Sequence, residues 1–251
     1  MKRLGNARRQ GRGFSLIEML VVVFLMALLV GTIFSQMSAV QQRASTEEVK
    51  VDDFQEARDF MDQLFRDIGQ AGYPNSRMVD TSSAAWSPAL AVPLYNDSRL
   101  AIGLVSADVN ELRFEGDTTG SGTVESIVYQ VNGSGTCALC LQRSQVDKAT
   151  GDPITGQTEN WGTAVNDVVS AAIFTYYDTN GNQITALPAD VSTASGRQTL
   201  ASIKTIQISL TVQNNAVVDP ATNQAIETDF EGEVSLNNCS MAVSGQPMSC
   251  N

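Results

Sequence analysis

The sequence predicts an α+β fold: one long N-terminal α-helix, its first half membrane-spanning and its second half amphipathic, packed on an antiparallel β-sheet head. Three observations carry this. An apolar run, Phe14 to Phe34, follows a short basic segment. Residues 14 to 68 contain no Pro and a single Gly, Gly31. From Leu100 onward, apolar and polar residues alternate with period two between turn-forming pairs.

Residues 1–13 form the leader, which carries Lys2, Arg3, Arg8, Arg9 and Arg12 and no acid. An excess of basic residues holds such an end in the cytoplasm, so the rest of the chain is expected outside. In the 21 residues from Phe14 to Phe34 only Ser15, Glu18, Gly31 and Thr32 break the apolar pattern. At about 1.5 Å per residue that length matches a hydrocarbon core of about 30 Å. Residues 14–35 are therefore assigned to a membrane span. A secretory signal peptide fits poorly, because the apolar stretch is too long, begins with an acid and is followed by no Ala-x-Ala site.

Glu18 is the residue most in need of an explanation. A charged side chain costs roughly 2.5–3.5 kcal/mol at the centre of a span on insertion scales, so an acid there implies a partner. The segment Gly13-Phe14-Ser15-Leu16-Ile17-Glu18 resembles the processing site of type IV prepilins and of the related type II secretion pseudopilins. The resemblance implies that a prepilin peptidase cuts after Gly13 and methylates the new amine of Phe14. It also implies that Glu18 pairs with the N-terminal amine of a neighbouring subunit. Within one straight helix the amine and Glu18 stand about 6 Å apart, which favours the neighbour. Many pilins carry a Pro well inside this helix, whereas none precedes Pro74 here and Gly31 is the one weak point.

Residues 36–72 form the second half of the helix. Phe54, Ala57, Met61, Leu64, Phe65 and Ile68 recur at three- and four-residue spacing and define a face to be covered. Glu48, Asp52, Asp59, Asp62 and Arg66 mark the other side, with Asp62 and Arg66 in the favourable acid-before-base i,i+4 order. Gly69, Gly72 and Pro74 end the helix. A connection rich in Pro and small residues then runs to residue 97, with Trp86 as its expected anchor.

Residues 73–251 are left for one β-rich head, about 180 residues and enough for a single domain. Strands are expected at Leu100–Val105, Glu111–Glu115, Val124–Val131, Ala138–Arg143, Val168–Asp178, Ile203–Gln213 and Thr228–Leu236. Asn132-Gly133 and Asn180-Gly181 have the composition of two-residue hairpin turns. Asp178-Thr179-Asn180-Gly181-Asn182 starts like a calcium loop. Its Gly is at the fourth position instead of the sixth, and Ala189 stands where the bidentate Glu belongs, so a plain turn is expected.

The chain has no His, which removes Ser-His and Cys-His catalytic pairs and His-containing zinc sites. Loss of the leader takes five of sixteen basic residues and none of the twenty-seven acids, moving the formal charge from −11 to −16. An acidic head disfavours phosphate backbones, so no nucleic-acid partner is expected. Catalytic residues, a metal site and cofactors are not expected either.

Cys137, Cys140, Cys239 and Cys250 all fall on the exported side, where disulfides persist, and three pairings are possible. The expected pairing is Cys239 with Cys250, closing a terminal loop, and Cys137 with Cys140 as a local bridge; the resemblance to pilins points the same way. The Cys-x-x-Cys spacing also fits a thiol oxidoreductase, but the strand-like context lacks the helix N-terminus that lowers a thiol pKa.

A structural subunit is thus expected, not an enzyme: an inner-membrane prepilin whose partners are the prepilin peptidase, membrane lipid and other pilins in a hetero-oligomeric filament. Asp67-Ile68-Gly69-Gln70-Ala71-Gly72-Tyr73, Ser126-Ile127-Val128-Tyr129 and Leu141-Gln142-Arg143 are similar to segments of PilW-type minor pilins. A GspJ-like pseudopilin is the nearest alternative. A tip adhesin would need an exposed aromatic patch, and Trp161, Tyr176 and Tyr177 are more simply core or hairpin residues.

Overall fold

The computed structural model describes residues 15–74, 88–132, 139–218, 222 and 224–236, apart from the side chains at 46, 48–54 and 214–217. Helix α1 runs from Leu16 to Gly69. The chain divides into two compact units, Met1–Glu48 and Val49–Asn251.

In the first unit the helix is apolar and unburied. Leu16–Ser45 reaches a mean hydropathy of 2.7 and is long and apolar enough to cross a membrane. Phe24, Leu25, Leu29 and Phe34 are all more than half exposed, a continuous apolar surface far beyond what a soluble monomer presents. The Thr32 hydroxyl donates to the Leu29 carbonyl at 2.8 Å, so this polar group is satisfied within the helix.

In the second unit the stripe anticipated from spacing is buried at Ala57, Met61, Leu64 and Ile68, with Phe65 half-buried. Phe60, absent from the expected set, joins them at 5 % exposure, four residues before Leu64. Arg66 departs from the expected ion pair: its Nε donates to the backbone carbonyl of Asp62 at 3.2 Å.

Among the described residues every strand pair of the head is antiparallel, and the strands form two sheets where one was expected. The larger has six strands: β1 Gly103–Ala107, β2 Glu111–Gly116, β3 Glu125–Asn132, β4 Cys140–Asp147, β5 Trp161–Val165 and the two-residue β7 Ala189–Asp190. Their order is β5-β4-β3-β2-β1-β7. The smaller sheet orders β6 Phe174–Tyr177, β8 Thr205–Val218 and β9 Ala225–Ser235 as β6-β8-β9. Strands β5 and β7, the nine-residue helix α2 Ala194–Ser202 and a 3-10 turn at Leu94–Asn96 were not anticipated.

Alternation sorts the faces as expected. In β8, Ile206, Ile208, Leu210 and Val212 are buried, while on β9 Glu227, Asp229, Glu231 and Glu233 point outward. The apolar faces of both sheets join the helix stripe in one core. Where α1 ends, Ala71 bridges Gly116 of β2, and a Cβ on Gly116 would lie 2.4 Å from the Gln70 carbonyl oxygen. Only glycine permits so close a backbone approach.

The turns differ in detail. Asn132 pairs with Cys140, so the link from β3 to β4 spans residues 133–139 and is not a two-residue hairpin. Asn180-Gly181 does lie in a turn, closed by a single Tyr177–Gln183 bridge instead of two full strands.

The second face of the large sheet is also covered. Segments 93–102 and 148–160 lie across it, tied to each other by Gly151 N–H donating to Asn96 O at 2.9 Å. This makes Arg113, Glu115, Ser126 and Ser144 interior residues. The Trp86 anchor falls outside the described residues.

Candidate processing and assembly segment

Helix α1 opens at Ser15, whose carbonyl accepts from the Glu18 and Met19 amides at 3.0 and 3.1 Å. Glu18 therefore sits in the first turn, where a negative charge is favoured by the helix dipole. Its side chain is exposed, flanked by exposed Leu16, Ile17, Met19 and Leu20. An acid is thus presented outward from an apolar helix end. Gly13 and Phe14 lie outside the described residues.

At the other end of α1, in the second unit, three separately noted segments meet. Asp67, 6 % exposed, accepts at Oδ2 from the Tyr129 hydroxyl at 2.6 Å and from Arg143 Nε and Nη2 at 3.1 and 2.6 Å. Arg143 Nε also donates to Tyr129 Oη at 2.9 Å, and its guanidinium carbon lies 5.6 Å from the Tyr129 ring centroid. Strand register explains the meeting, because Tyr129 of β3 stands directly opposite Arg143 of β4. Burial, and then the Asp67 charge, push the Tyr129 phenol well above its ordinary range, which keeps it a neutral donor.

The remaining expected sites divide unevenly. Cys140 opens strand β4, is 2 % exposed and is disulfide-bonded. Its partner is outside the described residues, as are Cys137, Cys239 and Cys250. A strand start lacks the helix N-terminus that activates a redox thiol. The Asp178 carboxylate accepts from the amides of Asn180 and Asn182, both at 2.8 Å, and from Asn182 Nδ2 at 3.1 Å. These bonds describe an Asx-type turn. Tyr176 is buried and donates to Asp108 O at 2.8 Å, Tyr177 donates to Gln207 Oε1 at 2.8 Å, and Trp161 is 41 % exposed on edge strand β5.

Residues 8–34 match a family model described as the prokaryotic N-terminal methylation motif. The segment is a prepilin motif. It contains Gly13, Phe14 and Glu18 and runs through most of the exposed apolar helix. The prepilin motif supports a type IV pilin or pseudopilin, implies processing by a prepilin peptidase and assembly with other pilins, and points to a structural subunit over an enzyme. With the one helix among the described residues that is long and apolar enough to cross a membrane, it is consistent with a single-pass inner-membrane protein. No curated protein and no solved structure gives a significant match to the chain.

Sequence reasoning missed one polar site. Lys148 Nζ contacts Glu115 Oε2 at 2.7 Å, both side chains fully buried, and donates to the Tyr95 and Leu100 carbonyls at 2.9 and 2.8 Å. The Ile102 amide donates to the same Glu115 oxygen at 3.2 Å. Burial pushes the Glu115 carboxyl up to about 7, against the opposing pull of Lys148. The pair pins segment 93–102 to the sheet. An outward-alternating Glu on a strand gives no hint that another segment covers it.

Proposed function

We propose that this chain is a minor type IV pilin of the PilW type, a structural subunit of a pilus or of the complex that initiates one. Leader 1–13 remains cytoplasmic until the peptidase cuts after Gly13 and methylates Phe14. Residues 14–35 hold the subunit in the inner membrane and then in the filament core. Residues 36–72 carry the helix to the head, 73–251, on the outer side of the membrane. The observation that carries this reading is Glu18, exposed in the first turn of an unburied apolar helix and inside the methylation motif. A processed amine and a carboxylate in the same apolar layer neutralise each other across a subunit interface.

The PilW-type assignment rests on three short segments. What supports treating them as one unit is that Asp67, Tyr129 and Arg143, one from each, share a hydrogen-bonded cluster. A GspJ-like pseudopilin shares the leader and helix. Deletion of the gene from its bacterium separates the two readings. Loss of surface filaments with type II secretion intact, restored by the wild-type chain and not by Glu18→Val, is the expected result. Normal filaments with impaired secretion would favour the pseudopilin.

A further inference from the structure

Buried polar atoms lacking a partner collect on one side of the large sheet. Glu115 and Ser126 are directly opposite on β2 and β3, so their side chains leave the same face. Arg113 is two residues before Glu115 and shares that face. Glu115 Oε1, Ser126 Oγ, and Arg113 Nε and Nη1 are all buried with no hydrogen-bond partner among the described residues. Asn96 Oδ1 is a fifth such atom, on the segment that crosses this face: the neighbouring Tyr95 carbonyl accepts from Lys148.

The partners these side chains do have show how the layer is held. Arg113 Nη2 donates to Glu159 Oε1 at 2.7 Å, Glu115 Oε2 takes Lys148 and the Ile102 amide, and the Ser144 hydroxyl accepts from the Asn160 amide at 2.8 Å. Arg113 and Glu115 are therefore held through Nη2 and Oε2 while Arg113 Nε and Nη1 and Glu115 Oε1 stay unmet, and the Ser126 hydroxyl has no partner among the described residues. Leaving such a group unpaired inside a protein costs about 1–3 kcal/mol, and native interiors meet nearly all of them.

We infer that ordered water occupies the layer between the six-stranded sheet and segments 93–102 and 148–160, bound by Glu115 Oε1, Ser126 Oγ and the Arg113 guanidinium. The chemistry selects this ligand. An anion suits Arg113 but meets the carboxylate oxygens of Glu115. A cation suits those oxygens but meets N–H groups that can only donate. The layer holds two basic side chains, Arg113 and Lys148, and two acidic ones, Glu115 and Glu159. A small neutral molecule that both donates and accepts satisfies all three groups, and buried water characteristically makes about three such bonds. The layer is then a wet seam: the crossing segments are joined to the sheet through solvent as well as through Lys148.

A crystal structure of the full chain in detergent, at a resolution that resolves ordered solvent, tests this. The expected result is a water within about 2.7–3.2 Å of Glu115 Oε1 and of Ser126 Oγ or Arg113. Direct bonding of Arg113 or Ser126 to Glu115 Oε1 with no solvent between them would overturn the inference, as would an ion in the layer. Magnetisation transfer from long-lived water to the backbone amides of Glu115 and Ser126 supplies a solution readout. It should be present in the wild type and lost in Ser126→Val, whose added methyl fills the layer; absence in the wild type also overturns the inference.

Discussion

Arg143 Nη2 lies 2.6 Å from Asp67 Oδ2, joining the last turn of helix α1 to the middle of β4 across 76 residues of sequence. Tyr129 closes the triangle, with its hydroxyl between the two. Removing one member of such a pair leaves the other charge buried and unmatched, which costs about 3–5 kcal/mol where burial is complete and less where, as here, Arg143 keeps 17 % of its side chain exposed. Asp67→Ala should therefore destabilise the head by about 2–3 kcal/mol. Asp67→Ala with Arg143→Ala should cost less than the two single changes added together. Thermal midpoints of the four chains in detergent measure this; strict additivity would show that the two residues do not act together.

Glu115 gives stability a pH dependence opposite to that of a salt-bridged surface acid. Its folded-state carboxyl is pushed up to about 7 from an ordinary 4.5, chiefly by burial. The folded chain keeps a proton that the unfolded chain releases. The associated stabilisation is fully present below 4.5 and is lost as pH rises through 7, by on the order of 3 kcal/mol. Asp97, held below the ordinary carboxylate range first by its hydrogen bond from Arg99, works the other way and loses its contribution in acid. Glu115→Gln isolates the first effect. Its stability relative to wild type should rise between pH 4.5 and 7, and a difference that stays constant with pH would show that Glu115 does not titrate there.

Gly116 is where the chain leaving α1 touches β2. A methyl at this position meets backbone, Gln70 O at 2.4 Å and Ala71 Cα at 3.3 Å, which cannot swing aside. Gly116→Ala should lower stability by about 1–3 kcal/mol. Gly120→Ala is a useful comparison, since space there is open but its φ is +69°; it should cost about 1 kcal/mol from backbone strain alone. Denaturant midpoints of the two variants rank them, and equal effects would remove close packing as the reason for glycine at 116.

Much of this architecture is legible in the sequence because two periods dominate it. The spacing of Ala57, Met61, Leu64 and Ile68 and the alternation of Ile206, Ile208, Leu210 and Val212 each describe a face that must be covered. What escaped has physical causes. Strand β5 is an exposed edge with Gly162 in it, so it carries little alternation. Helix α2 buries only Gly196 and Leu200, and the signal that could have found it is the Thr193 cap, whose hydroxyl accepts from Gly196 N–H. Division into two sheets leaves no trace in a period-two pattern. Nothing in the sequence around Glu115 and Lys148 signals their burial, because coverage by a crossing segment is a tertiary event.

The cysteine pairing is open to a direct chemical test. Cys140 is buried and bridged, and the proposed pairs are Cys137 with Cys140 and Cys239 with Cys250. Peptide mapping of the unreduced full chain should recover both, with no thiol alkylated before reduction. A peptide joining Cys140 to Cys239 or Cys250 would replace this pairing and tie the C-terminal region to the start of β4.

Gly13 and Phe14 are proposed as a processing junction, and Glu18 as the group that answers the amine it creates. Intact mass of the chain, expressed with and without its prepilin peptidase, in wild type and in Gly13→Leu, tests this most directly. Wild type with the peptidase should lose residues 1–13 and gain one methyl group, while the variant, and wild type without the peptidase, should keep the full mass. A leader that persists in the wild type with active peptidase present would rule out the junction and remove the role assigned to Glu18.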